Sequence, residues 1–255
     1  MNPTFNGYRM AEAEQEWEVQ EASHHASSFR EGEWEAENEY SWPSILSSLQ
    51  KTARGTVPTA QQMAPIAAKM LAGSIRSPVA QNLINSWLRE GEAIATSMEA
   101  EAFGNQELEA EVSNSEMAYE SALAEVLAAE ASHSNSESEA EAFLGAALPS
   151  MVSSMGGSRA LRSVMPTLVQ ANAQLVRLLH QRGAAGQRLM RLIPTVLRRT
   201  IASLRAAYRS GRKVDAGVAR QIFATHTKQV LSNPKLVTSG IIRNALIQKR
   251  TTRSV

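Results

Sequence analysis

The sequence predicts an all-α protein of amphipathic helices and helical hairpins, preceded by a low-complexity acidic tail. Three observations carry that prediction. Apolar residues recur at three- and four-residue intervals beyond Ser44, and Ser, Pro and Asp stand where helix starts need them. Aromatics are only 5% of residues, so burial falls to Ala, Leu, Ile, Val and ten Met, which suit close helix packing.

The tail comes first. Between residues 10 and 40 Glu occupies alternate positions in two bursts, Glu12 to Glu18 and then Glu31, Glu33, Glu35, Glu37 and Glu39. Period two sets these carboxylates on one face of an extended chain and Trp17, or Trp34 and Tyr40, on the other. Like charges this dense resist compaction, and so few apolar groups cannot offset the entropy of ordering. Residues 1–43 are therefore expected to be a tail disordered alone; the alternative is a segment that orders when it meets a basic surface.

Helical signals follow. Thr59 to Leu71 is amphipathic, with Pro65 marking its first turns or a kink. Ser77-Pro78 reads as an N-cap and first helical residue, and Val79, Leu83, Ile84, Trp87, Leu88 and Ile94 continue the stripe. A long helix is expected from about Asn105 to Ala131, with Leu108, Val112, Tyr119, Leu123, Val126 and Leu127 on its apolar side. The echo of Glu99-Ala-Glu101-Ala-Phe103 in Glu139-Ala-Glu141-Ala-Phe143 is short enough to reflect composition alone.

The last third holds a better repeat. The Gly157 to Thr167 segment aligns with Gly186 to Thr195 after a one-residue slip, and Gly183 and Gly211 close the two units twenty-eight residues apart. Each unit reads as one basic amphipathic helix or helix pair with Pro-Thr near its start or at a bend, and a helical hairpin of two such units is the natural packing. Leu189, Ile193, Leu197, Ile201, Leu204 and Tyr208 form the second stripe. Opposite it stand Arg191, Arg198, Arg205 and Arg212 at heptad spacing, supported by Arg199 and Arg209. Asp215 is placed to cap a helix from Ala216 to Leu231 with Val218, Ile222, Phe223 and Val230 inward. Asn233-Pro234 ends that helix, and a last short one carries Ile241, Ile242, Ala245 and Leu246.

Charge divides the chain more sharply than any motif. Residues 1–141 carry twenty-four Glu against seven Lys/Arg, net −17, and residues 142–255 carry nineteen Lys/Arg against Asp215 alone, net +18. The organisation expected is an acidic tail (1–43), an acidic helical region (44–141) and a basic helical region with a degenerate 28-residue repeat (142–255).

Chemistry is sparsely represented. Without Cys there is no disulfide, thiolate nucleophile or thiolate metal site. His24-His25, His133, His180 and His226 lack ligand spacing, and His226 lies eleven residues beyond Asp215, about three helical turns, too far for a catalytic dyad along one helix. Exposed Glu repeats offer no individually tuned acid or base. Gly183-Ala-Ala-Gly186 reads as a helix-terminating turn rather than a phosphate loop, and Gly156-Gly157 as an interhelical linker. No cofactor and no enzymatic activity are expected. The start lacks the basic and apolar regions of a Sec signal, and the longest apolar run, Ala142 to Leu148, is far short of a membrane span. The expectation is a soluble protein, cytoplasmic or exported by a non-Sec route.

From Glu137 to Asn233 the chain resembles a loose set of uncharacterised bacterial proteins with Glu/aromatic alternation at the N-terminus and a basic helical C-terminal region. The residues that carry it are Ser138 to Phe143, Pro194-Thr195, Arg198-Arg199-Thr200 and Gly211-Arg212-Lys213-Val214. The resemblance implies no particular activity.

Opposite charges on two parts of one chain imply mutual recognition, within a chain or head-to-tail between chains as a homo-oligomer or filament. The expected contact surface is Arg191, Arg198, Arg199, Arg205, Arg209 and Arg212, meeting Glu31, Glu33, Glu35, Glu37, Glu39, Glu99, Glu101, Glu107, Glu109 and Glu111. Two alternatives use the same arginines: binding of a polyanion such as nucleic acid or an anionic surface polymer, and peripheral contact with an anionic membrane. Sparse aromatics weigh against base stacking in the basic region, and all four Trp lie in the acidic one.

Overall fold

The computed structural model describes residues 42–73, 77–104, 115–155 and 161–253. The acidic tail up to Ser41, Leu108, Val112 and the Gly156-Gly157 linker lie outside these residues. Among the described residues all regular structure is helical, as the periodicity predicts.

Helix α1 (Trp42–Leu71) starts well before Thr59 and runs through both Pro58 and Pro65. An interior proline removes one backbone hydrogen bond and costs about 3 kcal/mol. Here a continuous buried stripe offsets that cost: Ala53, Thr56, Ala60, Met63, Ala64, Ala67 and Leu71 are all within 2% of complete burial. Local propensity stops the helix at a proline, and tertiary burial carries it through.

Helix α2 (Pro78–Gly104) begins where Ser77-Pro78 predicts, with the Ser77 carbonyl accepting from the Gln81 N–H at 3.0 Å. Helices α3 (Ser115–His133) and α4 (Glu137–Ser154) form an antiparallel pair joined by a three-residue turn. Ser136 caps α4 by accepting from the Glu139 N–H, and Ser134 donates to the Glu139 carboxylate at 2.7 Å. The buried side of α3 differs from the expected stripe. Leu123, Val126 and Leu127 are half-buried, whereas Ala124, Glu125, Ala128 and Ala129 are fully inside.

The repeat organises the chain from Met165 to Arg209. Helix α5 (Met165–His180), the short helix α6 (Gly183–Leu189), a 3₁₀ turn (Met190–Leu192) and α7 (Ile193–Arg209) place each Pro-Thr pair in a first helical turn. Gly183 and Gly211 both adopt positive φ, +63° and +74°, a region closed to most side chains. Both chain reversals thus fall at the glycines twenty-eight residues apart. Asp215 caps α8 (Ala216–Ser232) by accepting from the Val218 N–H at 2.9 Å. The final helix, α9 (Pro234–Arg253), is twenty residues rather than short. Gly240 on its inner face lets it lie against Leu192, which buries Val237 and Ile241 and extends the helix's anchorage.

Helix α7 is the hub. It packs against α2, α3, α4 and α8, and every residue from Leu192 to Leu204 is buried or nearly so. An amphipathic helix with an outward arginine face was the expectation; a helix enclosed on nearly all sides is the finding. One core joins residues of the acidic and basic regions, so the charge boundary near Ala142 is not a packing boundary.

A close approach occurs at Gly91, where α2 lies on α7. A Cβ built there falls 2.5 Å from the Ser203 backbone and 2.0 Å from its Oγ. Since backbone cannot yield as a flexible side chain does, Gly91→Ala is expected to lower the stability by at least about 1–3 kcal/mol, read as a reduced midpoint in urea.

Candidate functional site

The most concentrated polar chemistry is a buried ionic cluster where α3, α7 and α9 meet. Glu125 is 1% exposed. Its Oε1 lies 3.3 Å from Arg198 of α7 and 3.3 Å from Arg243 of α9. Asn244 completes the cage, donating from Nδ2 to Glu125 Oε2 at 2.8 Å and to its backbone carbonyl at 2.7 Å. Arg243 also donates to the Thr195 hydroxyl.

Three further contacts repeat the pattern. Arg199 reaches Glu92 of α2 at 3.0 Å, with the guanidinium side chain 3% exposed and the carboxylate 46% exposed. Arg177 of α5 grips Glu141 of α4 through two nitrogens and has Glu137 3.8 Å away; that hydrogen bond and charge raise its pKa, though the pair is solvent-exposed. Arg191 donates to Ser132 at 2.9 Å and has His133 Nε2 at 3.0 Å. These ion pairs each join a Glu before residue 142 to an Arg after it. Cation and anion of the two regions therefore meet within one chain.

Register explains the heptad spacing. Arg191 of the 3₁₀ turn meets Ser132 and Arg198 of α7 meets Glu125, so seven residues forward along the turn and α7 match seven residues back on α3. Antiparallel helices in contact along one seam require this. The ladder then leaves the seam. Arg205 is half-buried, with burial and the neighbouring Arg209 holding its guanidinium below the ordinary value, and Arg209 and Arg212 are exposed. Arg191 is likewise lowered by burial, with Glu130 opposing and Arg188 reinforcing the shift.

On the acidic side, the expected partners fall elsewhere. Glu31, Glu33, Glu35, Glu37, Glu39, Glu107, Glu109 and Glu111 lie outside the described residues, and Glu99 and Glu101 sit in the last turns of α2. Carboxylates that do meet buried arginines are Glu92 of α2, two residues past Glu90, and Glu125 in the Ala-rich α3. Sequence reasoning favoured clustered Glu and passed these over. The one available signal was Glu125 lying between Ala124 and Ala128 on the small-residue face of α3.

A second polar chain crosses α7 and α8. Gln229 Oε1 can only accept, so His226 Nδ1 donates to it at 3.0 Å, leaving Nε2 to accept from the Ser203 hydroxyl at 2.7 Å. The order resembles a hydrolytic relay, but Ser203 and His226 are both 0% exposed, and the Gly91 backbone is packed against Ser203. No substrate has access, so the chain of bonds serves packing. Burial, then the Arg199 charge, lowers the His226 pKa to about 4, against a smaller opposing effect of Gln229.

A surface groove of about 340 Å³ is lined by Ala80, Leu83, Ile84 and Trp87 of α2, Arg212 and Lys213 of the α7–α8 turn, and Val218 of α8. Its floor is buried apolar surface, since Ile84 and Trp87 are at most 6% exposed, and Arg212 and Lys213 stand exposed at its edge. Among the described residues no cluster of three acidic or His ligands could hold a metal ion, and no helix is long and apolar enough to cross a membrane.

Comparison with known proteins found no matching family model, no matching curated protein and no matching solved structure.

The buried groups lead to two expected outcomes. Glu125→Ala strips a carboxylate from two buried guanidinium groups, and breaking such a cluster costs about 3–5 kcal/mol, measurable by urea unfolding. His226 binds its proton less readily when folded than unfolded. Its contribution is thus fully present above about pH 6.5 and is lost as pH falls toward about 4, up to about 3 kcal/mol. The stability of His226→Gln relative to the parent should accordingly improve as pH falls across that window, in paired denaturation curves.

Proposed function

We propose that this chain is a non-enzymatic structural protein that self-assembles through complementarity of its acidic and basic parts. One observation carries this reading: the two parts of the chain keep opposite net charges. Residues 1–43 hold ten Glu against two Arg, net −8, while residues 44–255 hold twenty-four Lys/Arg against fifteen Asp/Glu, net +9.

Arg198 and Arg199 serve the core, which narrows the outward surface to the far end of the ladder, Arg209 and Arg212 with Lys213. A helical body of one sign and a terminal segment of the other repel their own kind and attract each other between copies. Because the two surfaces differ, the contact is heterologous and propagates as a ring or an open filament. Binding to a polyanion or an anionic membrane draws on the same exposed cations. The covalently attached acidic segment competes for them in every copy, which favours self-association.

Sedimentation velocity from low to high protein concentration provides the test. Mass is expected to rise with concentration in about 0.05 M salt and to return to that of a monomer in about 1 M salt, where the screening length falls to about 3 Å. A monomer under every condition contradicts the proposal.

A further inference from the structure

Resting on that head-to-tail reading, we infer that the groove between α2 and the α7–α8 turn receives the acidic, aromatic segment around Trp34 from a second copy of the chain. The groove and the segment match in chemistry. Ala80, Leu83, Ile84, Trp87 and Val218 provide an apolar floor, and Arg212 and Lys213 provide a cationic edge. In Glu31-Gly-Glu-Trp34-Glu-Ala-Glu-Asn-Glu-Tyr40, an extended conformation sets Trp34 and Tyr40 on one side and five carboxylates on the other. With an aromatic ring seated on the floor the carboxylates face away from it, and the long, flexible Arg212 and Lys213 side chains reach past the segment's backbone to meet them. Aromatic anchors inside a charged rim are the usual energetic layout of such contacts. The volume, about 340 Å³, accommodates one large side chain and lies at the lower end of small-ligand pockets. Asp215 is close in sequence but is engaged as the cap of α8 and leaves the edge cationic.

Charge complementarity and the head-to-tail reading select a second copy: residues 31–40 hold five Glu and no Lys or Arg, while the groove edge holds Arg212 and Lys213.

Mixing two full-length variants tests this. The groove variant is Arg212→Glu with Lys213→Glu; the tail variant is Trp34→Ala with Tyr40→Ala. In the inferred arrangement each alone loses one side of every contact, and its association weakens by at least about tenfold. Together they regain one productive pairing, the intact tail of the groove variant on the intact groove of the tail variant, and give a 1:1 dimer that cannot extend. The Arg212→Gln, Lys213→Gln variant, which retains side-chain bulk, is expected to show a smaller loss in the same direction, and cooperative thermal unfolding checks that each variant is folded. Parent-like association by either folded variant, or failure of the mixture to pair, overturns the groove assignment while leaving self-assembly standing. A parent that never associates removes both.

Discussion

A carboxylate with almost no solvent, held by two guanidinium groups and an amide, is the constraint on which this fold depends. Taking Glu125, Arg198 and Arg243 out of water costs several kcal/mol per ion, and their mutual contact, with Asn244 and Thr195, offsets that cost. Such a cluster cannot be left half-made. Helices α3, α7 and α9 must come together, although their residues lie up to 119 positions apart in sequence. The acidic region supplies the one anion, and the basic region supplies both cations.

That requirement accounts for the position of α7. A helix bearing Arg198 and Arg199 can be enclosed only if each guanidinium finds a carboxylate, one on α3 and one on α2, on adjacent sides. Gly91 brings α2 close beside Glu92, and the small residues of α3 bring Glu125 within reach. Steric permission and charge pairing thus act at the same places. Past Ala207 the enclosure ends: Arg205 is half-buried, and Arg209 and Arg212 are exposed.

Sequence alone disclosed the parts of this structure that are set by local chemistry. Ser77-Pro78 and Asp215 begin helices because a cap and a preset φ act over a few residues, and Gly183 and Gly211 reverse the chain because few other residues tolerate positive φ. Less legible was anything fixed by distant contacts. The passage of α1 through Pro58 and Pro65 depends on a buried stripe, and the length of α9 on its seat against Leu192. The heptad of arginines was visible, yet its spacing is equally that of a solvated face and of a seam; only the position of Glu125 on α3 decides between them. Ser203 and His226, twenty-three residues apart on successive helices, offered no pattern to read.

The acidic helical region beyond Ser44 and the basic helical region share one core and are joined through charge pairs that neither can satisfy alone. Far-ultraviolet circular dichroism of a chain divided in the turn between α3 and α4 tests this most directly, with residues 1–135 and 136–255 studied apart and mixed. The account predicts that neither fragment unfolds cooperatively alone and that mixing restores helix content and a single transition. A fragment 136–255 that melts cooperatively by itself, with parental helicity, would contradict it.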